Sequence, residues 1–571
     1  MSRSPRTARL GALLLMSGQL AACQGGGETP SDAAQLPPQP ALALRTGLAG
    51  RLTASQHQNI ADDLLGVKLD AAELAALAAG LPRAQPSTGL FLNGADGQAA
   101  SDDYPLAFGR LAALIAERVD ITALAAALAP CAQGVPACER AFVDGFGKRL
   151  FRRALTERES AAFLDLHARV SAEGASAEQA RRSVLEAMLQ APAFVFRLER
   201  ELDGQMGQKR YLDGFELASR LAFFLWDSAP DEELLALAGD GRLDGSPPKL
   251  PTLQAQVRRM LAEPRARRMT RELVRDFSGV ELAAFAGVTP ALRASLLDSL
   301  VATVDSHLWQ TQGELQGLFT LTSMTLDPNS AQLLGLTPTA DGLRPYDVSA
   351  LPQRVGWLTH PAFIAGMGDA QVGKIVHRGI TLMVKLMCRQ PVQLPDELEA
   401  TTAEFNRTFA DLTERQRSEQ RRKMAQPVSS GGSASPACWA CHSQFEPLAY
   451  GFDRFDAAGR YIGDVDSKGQ ALPIDGWMTD DLGVDEAARA RYTNVSELMS
   501  LLAASDVVQA CMAEHFLAFG TGRASSSVEK AFSLSVLKAH RDAGGTLRAM
   551  VEAVASSELF RSLASSGPAP L

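Results

Sequence analysis

From Arg51 onward, apolar residues recur at three- and four-residue spacing over most of the chain, the period of helices with one buried face. Thr53 and Gln56 form a capping-box pattern ahead of Ile60, Leu64 and Leu65, and Gly66 is placed to stop that helix. Ser176 with Gln179 opens a second helix running to about Leu189. Asp213 with Glu216 opens a third, on which Leu217, Leu221 and Phe224 fall at helical spacing. Leu111 to Leu128 and Leu253 to Leu261 also read as helix. Alternating β-branched runs are nearly absent and no solenoid-type repeat is visible, so the pattern predicts a mostly α fold. Breaks fall at 204–209, at Gly245-Ser-Pro-Pro and around Pro338 to Pro345. A chain of 571 residues is too long for one core, and several consecutive helical domains are expected. The divisions read from these breaks are 51–130, 131–205, 206–345 and 346–571.

The first 50 residues follow a different pattern. Arg3, Arg6 and Arg9 precede a short apolar run, Leu10 to Met16, too short to span a bilayer. The run leads to Leu20-Ala21-Ala22-Cys23, which looks like a bacterial lipobox. Residues 1–22 are therefore expected to be a lipoprotein signal peptide, with Cys23 lipidated; an ordinary secretory signal with an incidental cysteine is the alternative. Residues 23–50 then read as a tether, its Gly/Pro-rich start unable to pack. No other run reaches the roughly 18 apolar residues of a membrane span, so the expected membrane contact is the lipid anchor only. Gln24 rather than Asp after the cysteine hints at the outer membrane, with the body on the periplasmic face.

Charge narrows the partners. The net charge is −9, and loss of the three signal-peptide arginines makes it −12. That balance argues against nucleic acid and favours basic protein partners.

Export places the cysteines in an oxidising compartment, where disulfides persist. Cys131 and Cys138 are close enough to close a small loop, and Cys388 and Cys511 remain over; buried free thiols are the alternative for all four. The strongest chemical signal is Cys438-Trp439-Ala440-Cys441-His442. Two residues between the cysteines let both thiols add to the vinyl groups of one porphyrin, and the adjacent His442 then ligates the iron axially. Zinc would want two more ligands nearby, and no Cys or His follows within forty residues. A thioredoxin-like pair would want a βαβ context, and a plain disulfide leaves His442 unexplained. One covalent haem c is therefore the expected cofactor. Phe445, Tyr450, Phe452 and Phe455 follow as candidate walls, with Arg454 and Arg460 as candidate propionate partners.

The stretch CWACHSQFEPLAYGFDRFDAAGRY resembles the haem segment of large exported bacterial proteins built from serial domains of unknown function, the central one numbered 1592. RLTASQHQNIADDLLG, FGKRLFRRALTERE, LDGFELASRLAFFLWDSAPDEELL, GWLTHPAF, HRG at 377–379 and ACMAEHFLAFGTGR resemble the family in the expected order. The resemblance implies a helical multi-domain protein with a C-terminal cytochrome c-like haem region, here 346–571, and no assigned activity. It also implies the pairings Cys131 with Cys138 and Cys388 with Cys511. The chain departs from the family in carrying Glu446 where Asp is usual, Ala449-Tyr450 in a turn that usually has Gly, and Asp453-Arg454 in a usually acidic stretch. Relatives often carry a His shortly before the first haem cysteine; here the charged helix ending near Arg421 and Met424 stands in that place, and Met367 replaces another His.

The sixth iron ligand decides the chemistry. Met or His there gives a closed haem suited to electron transfer, and an open position allows peroxide or oxygen chemistry. Candidates are His360, Met367, Met424, Met478, Met499, Met512 and His515, with Met478 read in an exposed-looking loop and Met512 on an apolar stripe. His57, His167, His307 and His540 are isolated and read as structural. Electron transfer with a periplasmic redox partner leads; the alternatives are a haem enzyme of peroxidase or oxygenase type, and a binding scaffold with an auxiliary haem.

Overall fold

The computed structural model describes residues 46–81, 91, 93, 104–128, 136–200, 210–283, 288–339, 341–368, 374–389, 403–424, 442–465, 469–478, 490–523 and 530–563. Cys23, Cys131, Cys438 and Cys441 lie outside the described residues.

The capping signals act where the sequence places them. Thr53 and Gln56 exchange hydrogen bonds at the start of Ala54–Leu65, and Gly66 ends that helix at φ 65°. Ser176 caps Ala177–Gln190 and Asp213 caps Gly214–Trp226, each with a reciprocal box. Two more boxes, Asp70 with Glu73 and Thr156 with Glu159, open Ala71–Gly80 and Glu157–Ala172. The helix expected over Leu111 to Leu128 is two, Tyr104–Arg118 and Ile121–Leu128. Asp120 makes the break: its carboxylate accepts the amide of Ala123 at 2.9 Å, capping the second helix instead of continuing the first.

Strands are few, as the lack of alternating runs predicts. Among the described residues four two-stranded antiparallel ribbons occur: Thr46–Arg51 with Phe196–Arg200, Arg210–Tyr211 with Ser562–Leu563, Ser323–Leu326 with Arg344–Asp347, and Gly476–Met478 with Ala490–Tyr492. The second joins the end of the chain to the start of the central region. The fold is mostly α.

Two large cores organise the helices. One gathers Leu52, Ile60, Phe142, Phe146, Leu150, Val184 and Met188 with other apolar residues, most of them before Phe196. The other takes in Phe91 and residues from Leu212 to Leu563, so the stretches on either side of residue 345 share it. Gly214–Trp226 lies between them: Phe223 enters the first core, while Leu217, Leu221 and Phe224 enter the second. Arg220 on this helix is buried, pairs with Glu199 through Nε at 2.7 Å, and donates to the carbonyl of Phe560 at 2.6 Å. One guanidinium thus joins the first ribbon, the central helix and the C-terminal segment.

Among the described residues no single helix is long and apolar enough to cross a membrane. The bent pair Val495–Ala504 and Asp506–Thr521 is so only in combination, and its apolar residues sit in the second core.

Candidate functional site

His442 opens a short irregular stretch that continues through Glu446–Ala449 and Tyr450–Phe452. Its side chain is 21% exposed, and its Nδ1 lies 2.9 Å from Oε1 of Glu446, one helical turn on. A carboxylate only accepts, so Nδ1 holds the bridging proton and Nε2 is the nitrogen left to coordinate a metal. The ring of Phe445 stands beside the imidazole, centroids 5.1 Å apart.

Glu446 is wholly buried, and its partners come from a helix that shows no apolar face. Glu414–Met424 (ERQRSEQRRKM) has hydroxyl and guanidinium groups at Arg415, Ser418 and Arg421, spaced by three so that they share one side. Arg421 pairs with Oε1 of Glu446, and the Ser418 hydroxyl donates to Oε2. With its proton so used, Ser418 accepts from the hydroxyl of Tyr450 at 2.5 Å. Arg415 lies over the Tyr450 ring, 3.6 Å from its centroid, and donates to the carbonyl of Asp475 at 3.0 Å. Burial alone would raise the Glu446 pKa, but the hydrogen bond from His442 and the charge of Arg421 outweigh it and hold the carboxyl below its usual value. Burial and the same carboxylate push the Tyr450 phenol up to about 12.

Two further segments brace this stretch. In helix Lys374–Met387, Arg378 is buried and donates to the carbonyls of Phe452, Phe455 at 3.0 Å and Asp456 at 3.0 Å. Gly379 beside it admits the Phe445 backbone: a Cβ there would stand 2.5 Å from the Phe445 oxygen. The HRG tripeptide is thus a clamp for the backbone that carries His442. In GWLTHPAF, Trp357 stacks on Phe277 at 5.2 Å, and His360 Nδ1 accepts the Ala362 amide at 3.2 Å, capping Pro361–Gly366. Arg354, just upstream, donates to the carbonyls of Thr359 and of Gly459, the latter at 2.8 Å.

The other sequence candidates fall as follows. Phe452 and Phe455 are in the second core, and Tyr450 is buried against Ile375 and Ala449, so of the four candidate wall rings Phe445 is the one that stands beside His442, its plane tilted by 47°. Arg454 is engaged by the Leu472 carbonyl at 2.9 Å and by Asp464 at 2.7 Å, while Arg460 is exposed beside Asp456. Met478 does not lie in an exposed loop. It is 3% exposed on the strand Gly476–Met478, because pairing with Ala490–Tyr492 turns it into the core. Met367, Met499 and Met512 are core residues too. His515 is buried with Nε2 donating to the Lys385 carbonyl at 2.8 Å. Met424 ends the helix that carries Arg421, one turn beyond it.

Cys388 and Cys511 are joined, Cα atoms 5.3 Å apart, tying the end of Lys374–Met387 to Asp506–Thr521. Cys138 is buried and disulfide-bonded. His57 sits between Phe108 and Phe194, its pKa pushed down to about 3 by burial and by Arg51 and Arg152. His307 donates from Nε2 to the Glu314 carbonyl at 2.8 Å, and His167 lies 3.3 Å from Glu139. The buried support of Glu446 by Ser418 and Arg415 is invisible to a search for apolar periodicity; the signal for it was the polar spacing 415, 418, 421.

Four family models match the chain in order. They are proteins of unknown function DUF1595 over 138–199, DUF1592 over 212–336, DUF1588 over 354–464 and DUF1585 over 490–560. The third, also named PSCyt3, contains His442, Glu446, Arg378 and Arg421. No curated protein and no solved structure matches the chain. Four segments of the chain are thus similar to the PSD and PSCyt families, which is consistent with a cytochrome-type protein.

Proposed function

We propose that the protein is an exported, lipid-anchored c-type cytochrome that carries one haem on Cys438, Cys441 and His442 and transfers single electrons to or from a basic periplasmic partner. The observation that carries this reading is the pair His442–Glu446: the residue after the second cysteine of a haem-attachment motif has Nδ1 bound to a buried carboxylate and Nε2 left for a metal. The donor set fits the group, with two thiols in the sequence for the vinyl carbons and one imidazole for the iron. A c-type haem, when bound, supplies a one-electron iron couple. The chain's residues do the rest. Glu446 orients the imidazole, Arg378 and Gly379 hold the backbone beneath it, and Phe445 shields its face. Cys23 supplies the anchor, and the acidic surface favours basic partners, so association should weaken with salt.

A haem enzyme of peroxidase type is a second reading, favoured by the same carboxylate. An anionic acceptor on Nδ1 makes the imidazole a stronger donor to iron, and electron donation from the proximal side assists O–O cleavage.

Protein purified from a host that attaches haem decides between these. Haem should survive acid–acetone extraction and a denaturing gel, and should be lost when Cys438 and Cys441 are both replaced by alanine. A low-spin spectrum with slow, weak binding of carbon monoxide or cyanide supports the electron carrier. A high-spin ferric spectrum with rapid peroxide consumption promotes the enzyme, and extractable haem removes both. Palmitate labelling that vanishes in Cys23→Ala tests the anchor.

A further inference from the structure

Oε1 of Glu446 serves two donors at once. It accepts from Nδ1 of His442 at 2.9 Å and from the guanidinium of Arg421, while Oε2 takes the Ser418 hydroxyl. All three donors point at one wholly buried carboxylate, in surroundings that screen charge poorly. How much of its negative charge reaches the imidazole therefore depends on how much Arg421 draws away. The two effects oppose each other through a single oxygen atom.

We propose that Glu446 is the positioning residue that sets the reduction potential of the haem, holding it low by strengthening His442 as a donor, and that Arg421 is its counterweight. This rests on the reading that His442 ligates a covalent haem. A negative charge relayed to the proximal nitrogen stabilises ferric over ferrous iron, because the oxidised centre carries one more positive charge. Arg421 reduces that stabilisation by sharing the oxygen. Ser418 holds the other carboxylate oxygen, and Tyr450 and Arg415 stand one step further out behind it.

The test is the midpoint potential of the holoprotein in three variants, with the His442 Nδ1–H resonance of the ferric form as a second readout. Glu446→Gln keeps an oxygen opposite Nδ1 and removes the charge. The potential should rise, by about tenfold in the reduction equilibrium, or 59 mV for one electron. Arg421→Gln leaves the whole charge on His442, and the potential should fall. Glu446→Asp restores the charge and should return the potential most of the way to that of the native chain. Shifts of opposite sign in the first two support the proposal, because a merely loosened pocket would move both in one direction. Should Glu446→Gln fail to fold, Arg421→Gln decides alone, and a rise or no change there overturns the proposal. Covalent haem with one unchanged potential in every variant also overturns it and leaves the cytochrome reading standing. A native chain without covalent haem removes the cytochrome reading itself and the proposal with it.

Discussion

The N-terminal core and the wall that carries His442 are held together by different means. Around Phe142, Phe146, Leu150, Val184 and Met188, helices meet along apolar faces, and their backbone groups are satisfied within the helices themselves. Around 442–461 the chain is mostly turns and short helical segments, whose carbonyls lack the continuous ladder of a long helix and take further donors. Guanidinium groups supply them: Arg378 serves three carbonyls and Arg354 two, while Arg421 serves the buried carboxylate. The N-terminal region uses the same device at its helix ends, where Arg182 donates to the carbonyls of Ala116, Glu117 and Val119. Arg152, at φ 60°, likewise donates to the carbonyls of Leu150, Ala193, Phe194 and Phe196. Irregular backbone inside a protein is costly, and an arginine with five donors is a compact way to satisfy it.

The contrast predicts where each region breaks. The largest effect should come from replacing Cys388 and Cys511 together by alanine. The link closes a separation of 123 residues, and its loss should cost about 4 kcal/mol, read as a fall in the denaturant midpoint. Proteolysis should then cut first on the His442 side, and cleavage that starts within 52–196 would contradict the comparison. Next is Arg378→Met, which removes a buried guanidinium from the carbonyls of Phe452, Phe455 and Asp456 and leaves that of Phe455 without its donor. We expect a loss of about 3 kcal/mol and a changed haem spectrum in the holoprotein. Phe146→Ala should cost a similar amount through an unfilled cavity but leave that spectrum unchanged. If both variants alter the spectrum alike, the two regions are not separable in this way.

A smaller effect is expected from Thr156→Ala, which removes one half of a capping box and should cost about 1 kcal/mol in thermal or denaturant unfolding. A pH effect concerns Lys385, buried between Phe277 and Phe363, with Nζ donating to the Phe277 carbonyl at 2.6 Å. Burial pushes its pKa down to about 8 from 10.5. Between those values the unfolded chain binds more protons than the folded one, so this group makes stability rise with pH from about 8 to about 10.5. Below pH 8 both states hold the proton and the contribution is constant. Denaturation series at pH 8 and pH 10 should show the rise in the native chain and a flatter profile in Lys385→Met.

Local order is readable in the sequence. The capping residues Thr53, Ser176 and Asp213 name the helix starts because a cap is a contact between residues three apart, and helical spacing names the buried faces for the same reason. The motif Cys438-Trp439-Ala440-Cys441-His442 was equally plain, since its chemistry depends on spacing along the chain. Only tertiary structure decided the rest. It turned Met478 into the core by pairing its strand with Ala490–Tyr492, and split one expected helix at Asp120. It also brought a strongly polar helix, Glu414–Met424, against the carboxylate of Glu446, which stands where the family usually has Asp. Buried charge leaves no periodic trace in a sequence, because its partner is found across the fold and not along the chain.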